Sequence, residues 1–84
     1  MYFLYILKSI NYRKSYIGIT ENVSRRLQEH NAGMSFFTKP YSPWTILYTE
    51  ECKNREEARQ REKYFKSTTG RREMKKMFAK IKPE

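Results

Sequence analysis

Two stretches, Tyr2-Phe3-Leu4-Tyr5-Ile6-Leu7-Lys8 and Ser15-Tyr16-Ile17-Gly18-Ile19-Thr20, decide the fold. Each is short, apolar, and rich in aromatic or β-branched side chains, which suits a buried strand. The residues between them, Ile10-Asn11-Tyr12-Arg13, read as a turn. So short a link predicts an antiparallel hairpin. Side chains alternate across a strand. Tyr16, Gly18 and Thr20 therefore share one face of the second strand, and Ile17 and Ile19 take the other. Gly18 leaves bare backbone on the Tyr16 face, where a ligand or another segment can approach closely.

Working outward, Asn22 is a helix N-cap and Gly33 a stop, with Val23, Leu27 and His30 at i, i+4, i+7 between them. Residues 34–43 form a basic, aromatic loop holding Phe36, Phe37, Thr38, Lys39 and Tyr41. Residues 44–49 predict a third strand, with Glu50 to Lys53 leading out of it. Asn54 followed by Glu57 is a capping box that opens a second helix running to about Lys66. Ser67-Thr68-Thr69-Gly70 reads as a break. A last helix follows from about Arg71 to Lys80, with Met74, Met77, Phe78 and Ile81 as its apolar stripe. The expected fold class is α+β, a small three-stranded antiparallel sheet flanked by helices in the order ββαβαα. The expected organisation is one domain spanning 1–84.

Composition narrows the partner. The chain has 84 residues, with 18 Lys and Arg against nine Asp and Glu, a net charge of +9. Such a balance attracts phosphate backbones through counterion release. A domain of this length has little room for a deep cavity, so a shallow groove for a polymer is expected. The alternative partners for a basic chain are ribosomes and anionic membranes. The lone Cys52 excludes an internal disulfide and a cysteine-built metal site, and suits a reducing, cytoplasmic compartment. No apolar run reaches the ~18 residues of a membrane span. The apolar start lacks a basic region and a cleavage site, so it reads as a strand rather than a leader. There is no glycine-rich phosphate loop and no serine-centred elbow.

Some residues break the local pattern. Glu62 shares the apolar stripe of the second helix with Ala58 and Phe65, where a carboxylate costs several kcal/mol unless it is paired or bound to a cation. Pairing with a nearby Lys or Arg is the plain reading, and a functional role the sharper one. Tyr5 and Tyr16 lie on adjacent strands, and from pattern alone aromatic packing accounts for them. Arg26 neighbours Val23 and Leu27; an arginine there either forks onto a phosphate or is an ordinary solvated residue. His30, the single histidine, sits at a helix edge as a structural hydrogen-bonder or a base.

Leu4-Tyr5-Ile6, Tyr16-Ile17-Gly18, Arg25-Arg26-Leu27-Gln28-Glu29-His30-Asn31 and Ala58-Arg59-Gln60-Arg61-Glu62, in this order, resemble the GIY-YIG nuclease family over nearly the whole chain. The likeness is to its short stand-alone branch, related to the excision-repair incision domain and to homing endonucleases. The first motif here lacks the initial glycine but keeps its tyrosine. Ile19 stands where excision-repair members carry lysine, and the family's late asparagine has no clear counterpart.

The resemblance implies a metal-dependent endonuclease that hydrolyses phosphodiester bonds in DNA, or else RNA. It would be directed by substrate structure rather than sequence and would serve repair or recombination. It implies Tyr5, Tyr16, Arg26, His30 and Glu62 as catalytic residues. Glu62 would hold Mg²⁺ or Mn²⁺, and Tyr16 would be the general base. Arg26 would stabilise phosphoryl charge, and Tyr5 would orient water or phosphate. His30 would be a second base or a phosphate contact. Thr38, Lys39, Lys66, Arg71 and Arg72 would bind flanking phosphates. The competing expectations are a non-catalytic nucleic-acid-binding module with a degenerate site and a ribosome- or protein-associated factor.

Overall fold

The computed structural model describes residues 1–80. The hairpin forms as the sequence predicts, from β1 (Tyr2–Ser9) and β2 (Ser15–Thr20), paired antiparallel with Tyr5 opposite Gly18. β3 (Trp44–Cys52) pairs antiparallel with the other edge of β1, giving the sheet order β2-β1-β3. β1 is thus the central strand, with Leu4, Tyr5, Ile6 and Leu7 all at most 1% exposed. The register shifts between Ile6, opposite Tyr48, and Leu7, opposite Ile46. The extra residue, Leu47, packs with Tyr48 against the same core.

α1 (Val23–Asn31) follows β2, then a short 3₁₀ turn (Lys39–Tyr41), then β3, α2 (Arg55–Lys66) and α3 (Thr68–Ala79). The Asn22 side chain accepts from the Arg25 N–H, and Asn54 accepts from Glu57 N–H, so both expected caps are in place. Gly33 adopts φ +80, the left-handed conformation that ends a helix cheaply.

The sheet separates two apolar layers. On one face Leu4 and Ile6 pack with Phe65 and Met74, flanked by Ile17 and Ile19. On the other, Tyr5, Leu7 and Trp44 pack with Tyr16, Val23 and Leu27. The alternation expected on β2 is therefore realised, with α2 and α3 covering the isoleucine face and α1 the tyrosine face.

Two boundaries differ from the sequence-based expectation. β3 continues through Glu50 and Glu51 to Cys52, because β1 supplies partners as far as Tyr2. The break before α3 is one residue long. Ser67 ends α2 and caps α3, accepting from the Gly70 N–H at 3.3 Å. Gly70 is buried inside α3, and a Cβ there would lie 2.0 Å from the Tyr64 carbonyl oxygen. Its glycine serves helix contact rather than chain reversal. Ile81, expected on the α3 stripe, lies outside the described residues.

Candidate active site

The tyrosine face carries a connected polar cluster inside the apolar layer. His30, near the end of α1, is fully buried. Its Nε2 lies 3.0 Å from the Tyr5 hydroxyl and 3.4 Å from Nη2 of Arg26, and its Nδ1 lies 2.7 Å from the Thr38 hydroxyl. An arginine only donates, so Nε2 carries the lone pair and Nδ1 the proton. The order of donation follows. The Tyr5 hydroxyl donates to Nε2, Nδ1–H donates to Thr38 Oγ1, and the Thr38 hydroxyl donates to the Ser35 carbonyl at 3.5 Å.

Burial, with the Arg26 charge adding to it, holds the His30 pKa below its ordinary value, so the neutral ring is favoured. Burial likewise raises the Tyr5 phenol, which stays protonated. Arg26 donates through Nη1 to Glu29 at 2.7 Å, and that contact is the largest influence lowering the Glu29 carboxyl. The sequence reading did not single out Glu29. Its spacing of three from Arg26 on a helix was the available signal.

Gly18 makes room for this cluster. A Cβ built there would lie 2.6 Å from the Tyr5 hydroxyl oxygen. The close approach anticipated for the bare backbone is thus made by Tyr5 of the neighbouring strand. Tyr16, half-buried, completes the aromatic group, its ring 4.8 Å from that of His30 and 6.1 Å from that of Tyr5.

Tyr16 also lines a cavity of about 570 Å³ beside the edge strand β2. Arg13, Lys14, Lys66, Arg71 and Lys75 surround it, and Phe65, Met74 and Phe78 form apolar wall. Lys66 and Arg71, expected at flanking phosphates, meet here with Arg13, Lys14 and Lys75. Arg72 does not join them. It lines a separate depression with Tyr64, Glu73 and Lys76. On α3, consecutive residues point about 100° apart, which separates Arg71 from Arg72.

Thr38, expected at a flanking phosphate, is 1% exposed, and its hydroxyl is hydrogen-bonded to His30 and the Ser35 carbonyl. Both ring nitrogens of His30, expected as a base or phosphate contact, have protein partners. Lys39, next along, is exposed.

Glu62 sits on α2, one turn after fully buried Ala58 and three residues before fully buried Phe65, and is itself 26% exposed at the side chain. Lys66 Nζ donates to its Oε2 at 3.4 Å. Lys66 lines the basic cavity, so the carboxylate adjoins the groove through that residue. Among the described residues no group of three His, Cys, Asp or Glu side chains gathers to hold a metal. A single open carboxylate suits a hard, largely hydrated cation. The weak, solvated pair with Lys66 is a small obstacle to such binding.

A second ionic group braces the α2 face. Arg61 forks onto Glu50 of β3 at 2.5 and 3.0 Å, and Tyr48 donates to the same carboxylate at 2.8 Å. The Arg61 guanidinium also lies over Tyr64 and Phe65, at 4.8 and 5.2 Å from the ring centroids. It bolts the edge strand to the helix that carries Glu62.

Residues 1–77 match the family model described as the GIY-YIG catalytic domain. The chain belongs to the GIY-YIG family. Among its relatives, UPF0213 protein CPE1444 of Clostridium perfringens is 34% identical, the match covering 100% of this chain and 91% of that one. UPF0213 protein lwe0147 of Listeria welshimeri is 39% identical over 77% of this chain and 72% of its own. UPF0213 protein DP2720 of Desulfotalea psychrophila is 36% identical over 73% of this chain, which spans 56% of that relative's length. No solved structure matches significantly.

Proposed function

We propose that this protein is a divalent-metal-dependent endonuclease that hydrolyses phosphodiester bonds in DNA, directed by substrate structure and serving repair or recombination. One observation carries the reading. The Tyr16 ring packs on His30 and Tyr5 of the polar cluster, and its strand β2 borders a cation-lined groove. A phosphate backbone held in that groove lies along the strand that carries Tyr16.

In this reading Arg13, Lys14, Lys66 and Arg71 grip the backbone without reading bases. Arg26, 32% exposed at its side chain, stabilises charge that develops on the phosphoryl oxygens. Tyr16 acts as the base in its phenolate form, accepting the proton of the attacking water, and the leaving oxygen takes a proton from solvent as the phosphorus–oxygen ester bond breaks. Tyr5 and His30 are buried, so they act through Tyr16 and Arg26 as positioning residues, held in turn by Thr38. Glu62 would hold the cation, Mg²⁺ or Mn²⁺, which would supply Lewis-acid polarisation of a phosphate.

The test is Mg²⁺-dependent cleavage of plasmid, branched DNA and RNA by the purified protein beside Glu62→Ala. Cleavage of branched DNA by the wild type alone supports the reading. Equal inertness with DNA binding retained in both would assign a non-catalytic binding module. Absence of binding at low salt would remove nucleic acid altogether.

A further inference from the structure

Phe36 and Phe37 stand almost wholly in solvent, 90% and 78% exposed, on the loop between α1 and the 3₁₀ turn. The two rings meet edge to face, with centroids 6.4 Å apart and planes at 82°. They thus present π-faces in two directions. The loop beneath them is braced. The Met34 N–H donates to the Glu29 carbonyl at 3.0 Å, and the Lys39 N–H to the Ser35 carbonyl at 2.9 Å, which closes one turn around both phenylalanines. The Thr38 hydroxyl is fixed on His30, and the Trp44 indole N–H donates to the Thr38 carbonyl at 2.9 Å. The rings are therefore mounted on a fixed turn, with Phe37 next in sequence to a residue that touches the site histidine.

We propose that Phe36 and Phe37 form a stacking tip that seats against an unpaired base of the nucleic acid whose backbone lies in the groove. This rests on nucleic acid being the substrate and adds what selects it. The occupant follows from charge and position. The chain carries +9, Lys39 lies two residues after the tip, and Phe37 precedes Thr38, whose hydroxyl contacts His30. Every base offers a π-face, so such a contact tolerates any sequence but requires a base free of its partner. A flap, nick, bulge or junction provides one and an intact duplex does not.

The test keeps hydrolysis out by working in EDTA with the full chain. The probe is a DNA duplex with one unpaired 2-aminopurine, beside a fully paired control carrying the same base. The wild type is expected to quench the unpaired probe and bind it more tightly than the control. Phe36→Ala with Phe37→Ala is expected to abolish the quench and weaken binding to the unpaired probe by about 5- to 150-fold. The salt dependence stays unchanged, because phosphate contacts are kept. Both rings are exposed, so the variant folds, and thermal melting checks this. Phe36→Trp with Phe37→Trp restores the quench.

The proposal is overturned if the alanine variant quenches and binds like the wild type. It is also overturned if the rings matter only for binding to phosphatidylglycerol vesicles. If the wild type stacks but never cleaves with Mg²⁺, the hydrolytic reading fails and this one stands. If wild type and variant cleave paired and unpaired substrates alike, the reverse holds. If the wild type binds neither probe, both fall.

Discussion

The Thr38 hydroxyl lies 2.7 Å from Nδ1 of His30, and this contact decides which nitrogen of the buried ring faces Tyr5. Thr38→Val keeps the shape and removes the acceptor. The Nδ1–H is then buried without a partner, which costs about 1–3 kcal/mol. Denaturant unfolding should show that loss. Nitrogen NMR should show the tautomer population of His30 shifting toward Nε2–H, and cleavage should fall more than stability explains. An unchanged tautomer would remove Thr38 from the site.

Gly18→Ala places a methyl 2.6 Å from the Tyr5 hydroxyl oxygen, with further ring atoms at 2.7 and 2.9 Å. Overpacking of this kind costs about 1–3 kcal/mol. The damage should be specific to the pair. Combined with Tyr5→Leu, Gly18→Ala should cost clearly less than it does alone, since contacting residues are non-additive. A strictly additive double-mutant cycle would contradict the packing described.

Stability should depend on pH through His30. Its folded pKa is lowered by burial, so the native state favours the neutral ring and the unfolded chain binds the proton more readily. The stabilisation is complete above the unfolded value of about 6.5 and is lost as pH falls below it toward the folded value. Glu29 and Glu50, lowered by Arg26 and Arg61, act in a separate window below about 4.5, where their stabilisation disappears on acidification. Melting temperature against pH should therefore fall in two stages. His30→Gln should erase the first and leave the second.

Glu62→Gln should abolish metal-dependent cleavage while changing stability by no more than about 0.5 kcal/mol, because its partner Lys66 is a solvated neighbour one turn away. Isothermal titration with Mn²⁺ should lose its heat in the variant. A destabilisation of several kcal/mol would instead mark Glu62 as a structural residue.

Arg71 and Arg72 are adjacent in sequence and should differ in effect. Arg71→Ala should reduce the slope of log affinity against log salt by about 1. Arg72→Ala, in a separate depression, should leave it nearly unchanged. Equal effects would mean that the bound strand runs over α3 rather than along β2.

The strands, the helix caps and the two faces of β2 were legible because each rests on local chemistry: alternation, Asn caps, a left-handed glycine. The joint at Ser67 was not. Ser-Thr-Thr-Gly has the composition of a loop, but Ser67 caps α3 and Gly70 packs closely on the Tyr64 backbone within it. Glu50 and Glu51 do not look like strand residues; pairing with β1 and the fork from Arg61 keep them there. Periodicity found Glu62 at a core edge, and the structure names Lys66 as its partner. Periodicity could not place Thr38 under His30, because a contact across eight residues of loop leaves no periodic trace.

β1 has a partner strand on each side and a helical layer on each face. Segments held in this way are the last to open when a protein fluctuates, and those on exposed helices the first. Tyr5 and Gly18's backbone therefore form a fixed datum, while Arg26 and Glu62 lie on helices with side chains 32% and 26% exposed. Deuterium uptake should be slowest at Tyr5 and faster around the two charged residues. The proposed nuclease, meeting nucleic acid of varied shape, would gain from that division, with one end of its site rigid and the other compliant.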